Sequence, residues 1–268
     1  MLGKLLKYEL RATAHYFLPL FAAIVLFSLP ISLLNNLFSY HFSWISGLLI
    51  FIEVVLIIAL AVMTLVITIR RFYVNLLGNE GYLMFTLPVS THHNILSKLL
   101  AATLWNIGAM LVIVLSVLII MAGGNVSEIF LQMWTWFCKI LQTELNLNAA
   151  LMIFEWFVVG LIGIVQNILI LYLALAIGQL ANEHKFLASF GAFLGLQFAL
   201  GTATTIFGSI FTALSGEWAR GMLSWLETFS YGGAIQLVIL VAGIISLAIC
   251  AAFYFITHWL LKRKLNLS

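Results

Sequence analysis

The side chains able to do chemistry are few and scattered. His92-His93 is a tempting metal pair, but adjacent helical residues diverge by about 100°. No cluster of carboxylates or cysteines accompanies the pair, and a metal site needs such ligands. The two imidazoles read as the solvated start of a helix. Glu53, Glu155, Gln166, Asn167 and Gln197 are different, because each falls inside a long apolar run. A carboxylate at such depth faces protein or water, so these residues are candidates for lining an outward-opening cavity or its exit. Glu155 and Gln166 are eleven residues apart, which leaves them only about 20° out of alignment on one helix face. The competing reading has them hydrogen-bonding between helices, worth on the order of 0.6 kcal/mol each, or has the two glutamates reaching the outer interface. Hydrolytic chemistry lacks its parts: there is no His-Glu-x-x-His and no Gly-x-Ser-x-Gly.

The elements that carry these residues are dictated by composition. The chain has 268 residues, 64% of them hydrophobic and 8% charged, against about 25% charged in typical soluble domains. A soluble core of this length cannot hide that much apolar surface, whereas lipid can. Crossing about 30 Å of hydrocarbon takes roughly 20 apolar residues in a helix. The segments Phe17–Leu37, Trp44–Ile69, Leu96–Met121, Met152–Gly178, Phe186–Leu214 and Gly232–Leu261 meet that length. The expected fold is an all-α membrane protein, one transmembrane domain over residues 1–268 with six spans.

Orientation follows from the cations. Lys4, Lys7, Arg11, Arg70, Arg71, Lys98, Lys185, Lys262, Arg263 and Lys264 flank one side of that model, and only Lys139 and Arg220 flank the other. Short loops rich in Lys and Arg stay in the cytoplasm, so both termini are expected there. The net charge of +3 then reflects topology; there is no basic, aromatic-interleaved surface for nucleic acid. Trp44, Trp134, Trp136, Trp156, Trp218 and Trp225 gather toward the outer ends as an interfacial belt. Cys138 in an outer loop and Cys250 inside the sixth span are poorly placed to form a disulfide.

Two cytoplasmic segments stand out. Residues 2–15 set Leu2, Leu5, Leu6 and Leu10 against Lys4, Lys7 and Arg11; this predicts an amphipathic helix over residues 1–16, lying in the inner interface and pairing with anionic headgroups. Residues 70–95, between the second and third spans, are too apolar for an idle connection. Phe72 and Leu76 share a face, Gly78 stops a helix, Asn79 caps a second short one, and Pro88 holds Leu87 extended. This arrangement displays Tyr82, Met84 and Phe85, with Phe72 and Leu76 as further docking candidates beside them, aromatic and apolar groups of the kind that dock a protein partner.

Lys4-Leu5-Leu6-Lys7-Tyr8-Glu9-Leu10, the stretch Gly81-Tyr82-Leu83-Met84-Phe85-Thr86-Leu87-Pro88-Val89-Ser90 with Leu96-Ser97-Lys98, and Ile177-Gly178-Gln179-Leu180-Ala181 resemble the type-2 permeases of ATP-binding-cassette (ABC) exporters. The resemblance is closest to bacterial members that carry no ATPase domain of their own. It covers the whole chain in topology, while its specific motifs sit mainly in the first hundred residues. It implies a coupling helix between the second and third spans that docks into a separate ATPase subunit, with Glu80, Gly81, Tyr82 and Phe85 in that contact. It also makes residues 2–15 the connecting helix and Asn182-Glu183-His184-Lys185 a second approach to the same partner. A second permease copy, or a related permease, would complete the path.

The ATPase itself is elsewhere by this reading. No Gly-x-x-x-x-Gly-Lys-Ser/Thr phosphate loop occurs, so ATP and Mg belong to the partner subunit and no cofactor is expected on this chain. Leu214-Ser215-Gly216-Glu217 is similar to part of an ATPase signature loop but falls on the outer side, where it has no such use. Peptide, lipid and drug-like cargo are all compatible with the sequence. Two other readings stand beside the exporter. One is a membrane scaffold or sensor, for example in antimicrobial-peptide resistance. The other is an ion-driven transporter, which calls for discontinuous helices and midplane charges; here the membrane carboxylates lie toward the outer ends.

Overall fold

An apolar run in hydrocarbon has no solvent for its backbone groups and must close them internally. In the computed structural model every described apolar run does so as an α-helix. Residues 2–37, 43–74, 91–122, 126–139, 149–181, 184–213 and 231–263 are described. They form α1 (Leu2–Leu37), α2 (Ser43–Phe72), α3 (Thr91–Ala122), α4 (Val126–Lys139), α5 (Ala149–Gly178), α6 (Lys185–Ala213) and α7 (Tyr231–Arg263). All but α4 are long and apolar enough to span a membrane, six in number. The chain is an all-α, multi-pass membrane protein.

One expectation changes. Residues 2–16 are not a separate interfacial helix: α1 runs unbroken for 36 residues, about 54 Å at 1.5 Å per residue. Its buried side chains Thr13, Phe17, Ile24, Ser28 and Ile31 recur at helical spacing along one stripe, so the contact face continues past the apolar run into the charged segment. Packing along that stripe holds the two parts in line. Pro19 and Pro30 both sit inside α1, as prolines can in a membrane helix whose neighbours re-satisfy the freed carbonyls.

The chain divides into two compact units, Met1–Thr135 and Trp136–Ser268. In the first, α1 packs most extensively on α3 and next on α2. Phe17, Ile24, Leu60 and Ala109 form its core. Trp105 stacks on Phe17 with ring centroids 4.5 Å apart and planes 13° from parallel. Gly108 leaves room for the Phe21 ring, which a Cβ there would meet at 3.2 Å.

In the second unit α5 is the centre, packed against both α6 and α7. Leu173, Ala176 and Leu260 are its buried cluster, with Ile177, Leu196 and Phe253 against them. The turn from α5 to α6 places His184 at φ 52°, in the left-handed region, and its carbonyl accepts from Ala188 N at 3.0 Å to open α6. Both cysteines are free; the buried Cys250 faces Ile162 O at 3.9 Å.

The helix α4 replaces what the sequence reads as an outer loop. Glu128, Gln132, Thr135 and Lys139 fall within about 60° of its circumference, with apolar side chains around the rest. Leu131, Met133, Trp134, Trp136 and Phe137 remain exposed, which suits a helix lying in a membrane interface.

Candidate functional site

The richest polar geometry lies where the first residues of α1 meet the last turn of α2 and the first turns of α3. The Lys98 ammonium donates to Glu9 Oε1, and the two side chains are 2% and 12% exposed. The Arg71 guanidinium donates through Nη2 to Ala12 O at 2.9 Å. Trp105 Nε1 donates to Thr13 Oγ1 at 2.7 Å, and the Thr13 hydroxyl donates to Glu9 O at 2.8 Å. These contacts clamp residues 9–13 to both helix ends that border residues 75–90.

Each bond is charge-assisted or shielded from water, so each is stronger than a surface equivalent. The sequence reads Arg71 as an orientation signal, and Lys98 as an orientation signal and the end of a short motif. In the structure Lys98 is an interior cation, and Glu9 and Lys98 come from two of the short motifs that carry the family resemblance.

A second feature of the same unit is Glu53 in α2. The other buried hydroxyls of the unit are satisfied locally: Thr64 donates to Leu60 O at 2.7 Å, Thr68 to Thr64 O at 2.7 Å and Ser116 to Ile113 O at 2.9 Å. Glu53 is 3% exposed. Ser116 of α3 lies beside it, and with that hydroxyl turned to Ile113 O, neither carboxyl oxygen has a hydrogen-bond partner among the described residues.

A buried polar group left in this state costs stability and is retained where function needs it. Glu53→Leu should therefore raise the unfolding free energy by on the order of 1 kcal/mol while lowering the protein's activity. Reversible unfolding in mixed micelles checks the first half, and whatever transport or growth phenotype the intact protein confers checks the second.

The remaining path candidates belong to the second unit. Glu155 of α5 has one buried carboxyl oxygen without a hydrogen-bond partner among the described residues. Gln166 is half-buried on the same helix, and Asn167 is exposed and donates to Gly163 O at 2.9 Å within its own helix. Gln197 is exposed on α6. Glu155 and Gln166 share a face, but eleven residues separate them by about 16 Å along the axis, so they do not form one binding site.

Among the docking candidates, Phe72 is fully buried at 0% exposure. Its ring anchors the end of α2 in the first unit and leaves any partner contact to the residues after it. Leu76, Glu80, Gly81, Tyr82, Phe85 and Glu183 lie outside the described residues. Among the described residues no group of three or more His, Cys, Asp or Glu comes together in a metal-holding arrangement.

No family model, curated protein or solved structure matches the chain.

Proposed function

We propose that this chain is the membrane subunit of an ATP-driven ABC exporter, forming the translocation path and coupling to a separate ATPase subunit. The observation that carries the reading is the clamp of Glu9, Ala12 and Thr13 onto Lys98, Arg71 and Trp105. Residues 75–90 leave α2 just after Arg71 and enter α3 just before Lys98. A partner that moves this stretch pulls on both helix ends, and the clamp passes the motion to α1 as a rigid lever. A connection that is only a tether has no use for buried, charge-assisted contacts on both sides.

In this reading the basic ends of the helices face the cytoplasm of a bacterial cell. Two ATPase subunits bind ATP and Mg beneath, and a second copy of the chain or a related permease encloses the path. Binding of nucleotide closes the ATPases, tilts α1 to α3 together and switches access from the inner side to the outer. The chain supplies path and lever, and no catalysis. Tyr82→Ala with Phe85→Ala should abolish co-purification of the ATPase or uncouple its hydrolysis from export, with membrane insertion unchanged. Normal assembly and coupling in that double variant would remove the docking model.

Glu53 favours a second reading, an ion-driven transporter, because a buried carboxyl group with no hydrogen-bond partner among the described residues suits ion coupling. Activity that persists after ATP depletion and collapses with the ion gradient would select it.

A further inference from the structure

At the basic end of the first unit, a cavity of about 350 Å³ opens between α1 and α2, lined by Tyr16, Met63, Ile67, Arg70, Arg71 and Val74 among others. We infer that this cavity is a binding site for an anionic phospholipid, with Arg70 and Arg71 holding the phosphodiester and Met63 and Ile67 receiving the upper acyl chain.

The chemistry is divided by depth. Arg70 and Arg71 stand at the end of the α2 span, Trp44–Phe72, where headgroups lie, and Tyr16 of α1 faces the same cavity. Met63 is seven residues deeper along α2, about 10 Å into the apolar layer. An amphiphile with an anionic head and a hydrocarbon tail uses both ends of such a wall. A free phosphate uses only one, and the cavity's size falls in the range of small-molecule sites, about 300–1,000 Å³.

The cations are set up for an anion. Arg71 is fixed by its bond to Ala12 O, which spends one donor of the guanidinium's five and leaves the fork oriented. Arg70 is exposed, and neither arginine takes part in the ion pair found among the described residues, Lys98 with Glu9. The acid on the adjoining part of α1 is thus already engaged, and α2 has no acidic residue after Glu53. Planar guanidinium groups bind phosphate in two-point fashion, and basic pockets between membrane helices select anionic headgroups.

A generic snorkelling anchor would not need Arg71 tied inward, nor an apolar wall below the pair. The inference is independent of the ATPase partner.

The test uses the full chain purified in neutral detergent, with phosphatidylglycerol and phosphatidylcholine as probes and native mass spectrometry as the readout. Phosphatidylglycerol should be retained in preference to phosphatidylcholine. Arg70→Gln should weaken that retention by at least about five-fold, and Met63→Trp, which fills the apolar wall, should do the same without removing charge. Arg11→Gln, an exposed cation on another face of α1, should change it by less than about two-fold.

Equal retention of phosphatidylcholine would overturn the inference. So would equal loss in Arg11→Gln, which marks diffuse surface attraction, or displacement of the lipid by millimolar inorganic phosphate, which marks a free-anion site. A melting temperature for each variant keeps loss of fold apart from loss of site; should Arg70→Gln unfold, Met63→Trp alone decides.

Discussion

Lys98→Met will destabilise the first unit by about 3–5 kcal/mol, the usual loss when one member of a buried ion pair is removed. The reason is the state of the partner. Glu9 is 12% exposed, so the carboxylate left behind has little water to turn to. The pair itself need not stabilise the fold, since two charges had to leave water to form it. Adding Glu9→Leu to Lys98→Met should therefore recover most of the loss, because the double variant buries two apolar groups and no orphan charge. The measurement is unfolding of the four chains of the cycle in mixed micelles. A double variant as unstable as the single one would mean that Lys98 acts through other contacts. If the chain is the exporter subunit proposed above, the stable double variant keeps the packing of α1 but loosens the lever, and coupling should fall although the fold survives.

Gly178→Ala will destabilise the second unit by about 1–3 kcal/mol, as overpacking does where backbone must move. A Cβ at Gly178 would sit 2.6 Å from both Cα and N of Ser189. These are backbone atoms at the start of α6, fixed by the α6 ladder and by the Ser189 hydroxyl on Lys185 O at 2.9 Å. No rotamer change relieves the clash, so α6 must move away from α5. Gly195→Ala is the matching control, since nothing lies within 4 Å of its Cβ position; it should be neutral or mildly stabilising through helix propensity. A thermal shift of similar size in both variants would contradict the close approach of α5 and α6.

How much of this was legible in the sequence follows from what each feature depends on. The six spans depend on local composition, and apolar length suffices to place them. The continuity of α1 does not. Lys4, Lys7 and Arg11 advertise an interfacial stripe, while Glu9 and Thr13 on another side of the helix carry the contacts that hold α1 in line. Their partners Lys98 and Trp105 lie 89 and 92 residues away, a separation that periodicity does not register.

The helix α4 was readable, and its signal is the i, i+4, i+7, i+11 spacing of Glu128, Gln132, Thr135 and Lys139. The tryptophans drew that segment toward a belt reading instead. Glu53 is visible as a polar residue in a span, but its burial depends on packing beyond its own helix, with Ser116 of α3 beside it. Phe72 is visible as an aromatic beside the segment proposed to dock a partner, and only packing shows it turned inward.

Residues 75–90 are proposed to dock on an ATPase inside the cell, a contact that photo-crosslinking reads out in place. With a benzoyl-phenylalanine in place of Tyr82 and illumination of intact cells, the account predicts one dominant adduct, a subunit bearing an ATP-binding phosphate loop, lost when Phe85→Ala is added. Capture of no ATPase, or labelling of a cysteine at Gly81 by a membrane-impermeant thiol reagent applied from outside, would contradict it.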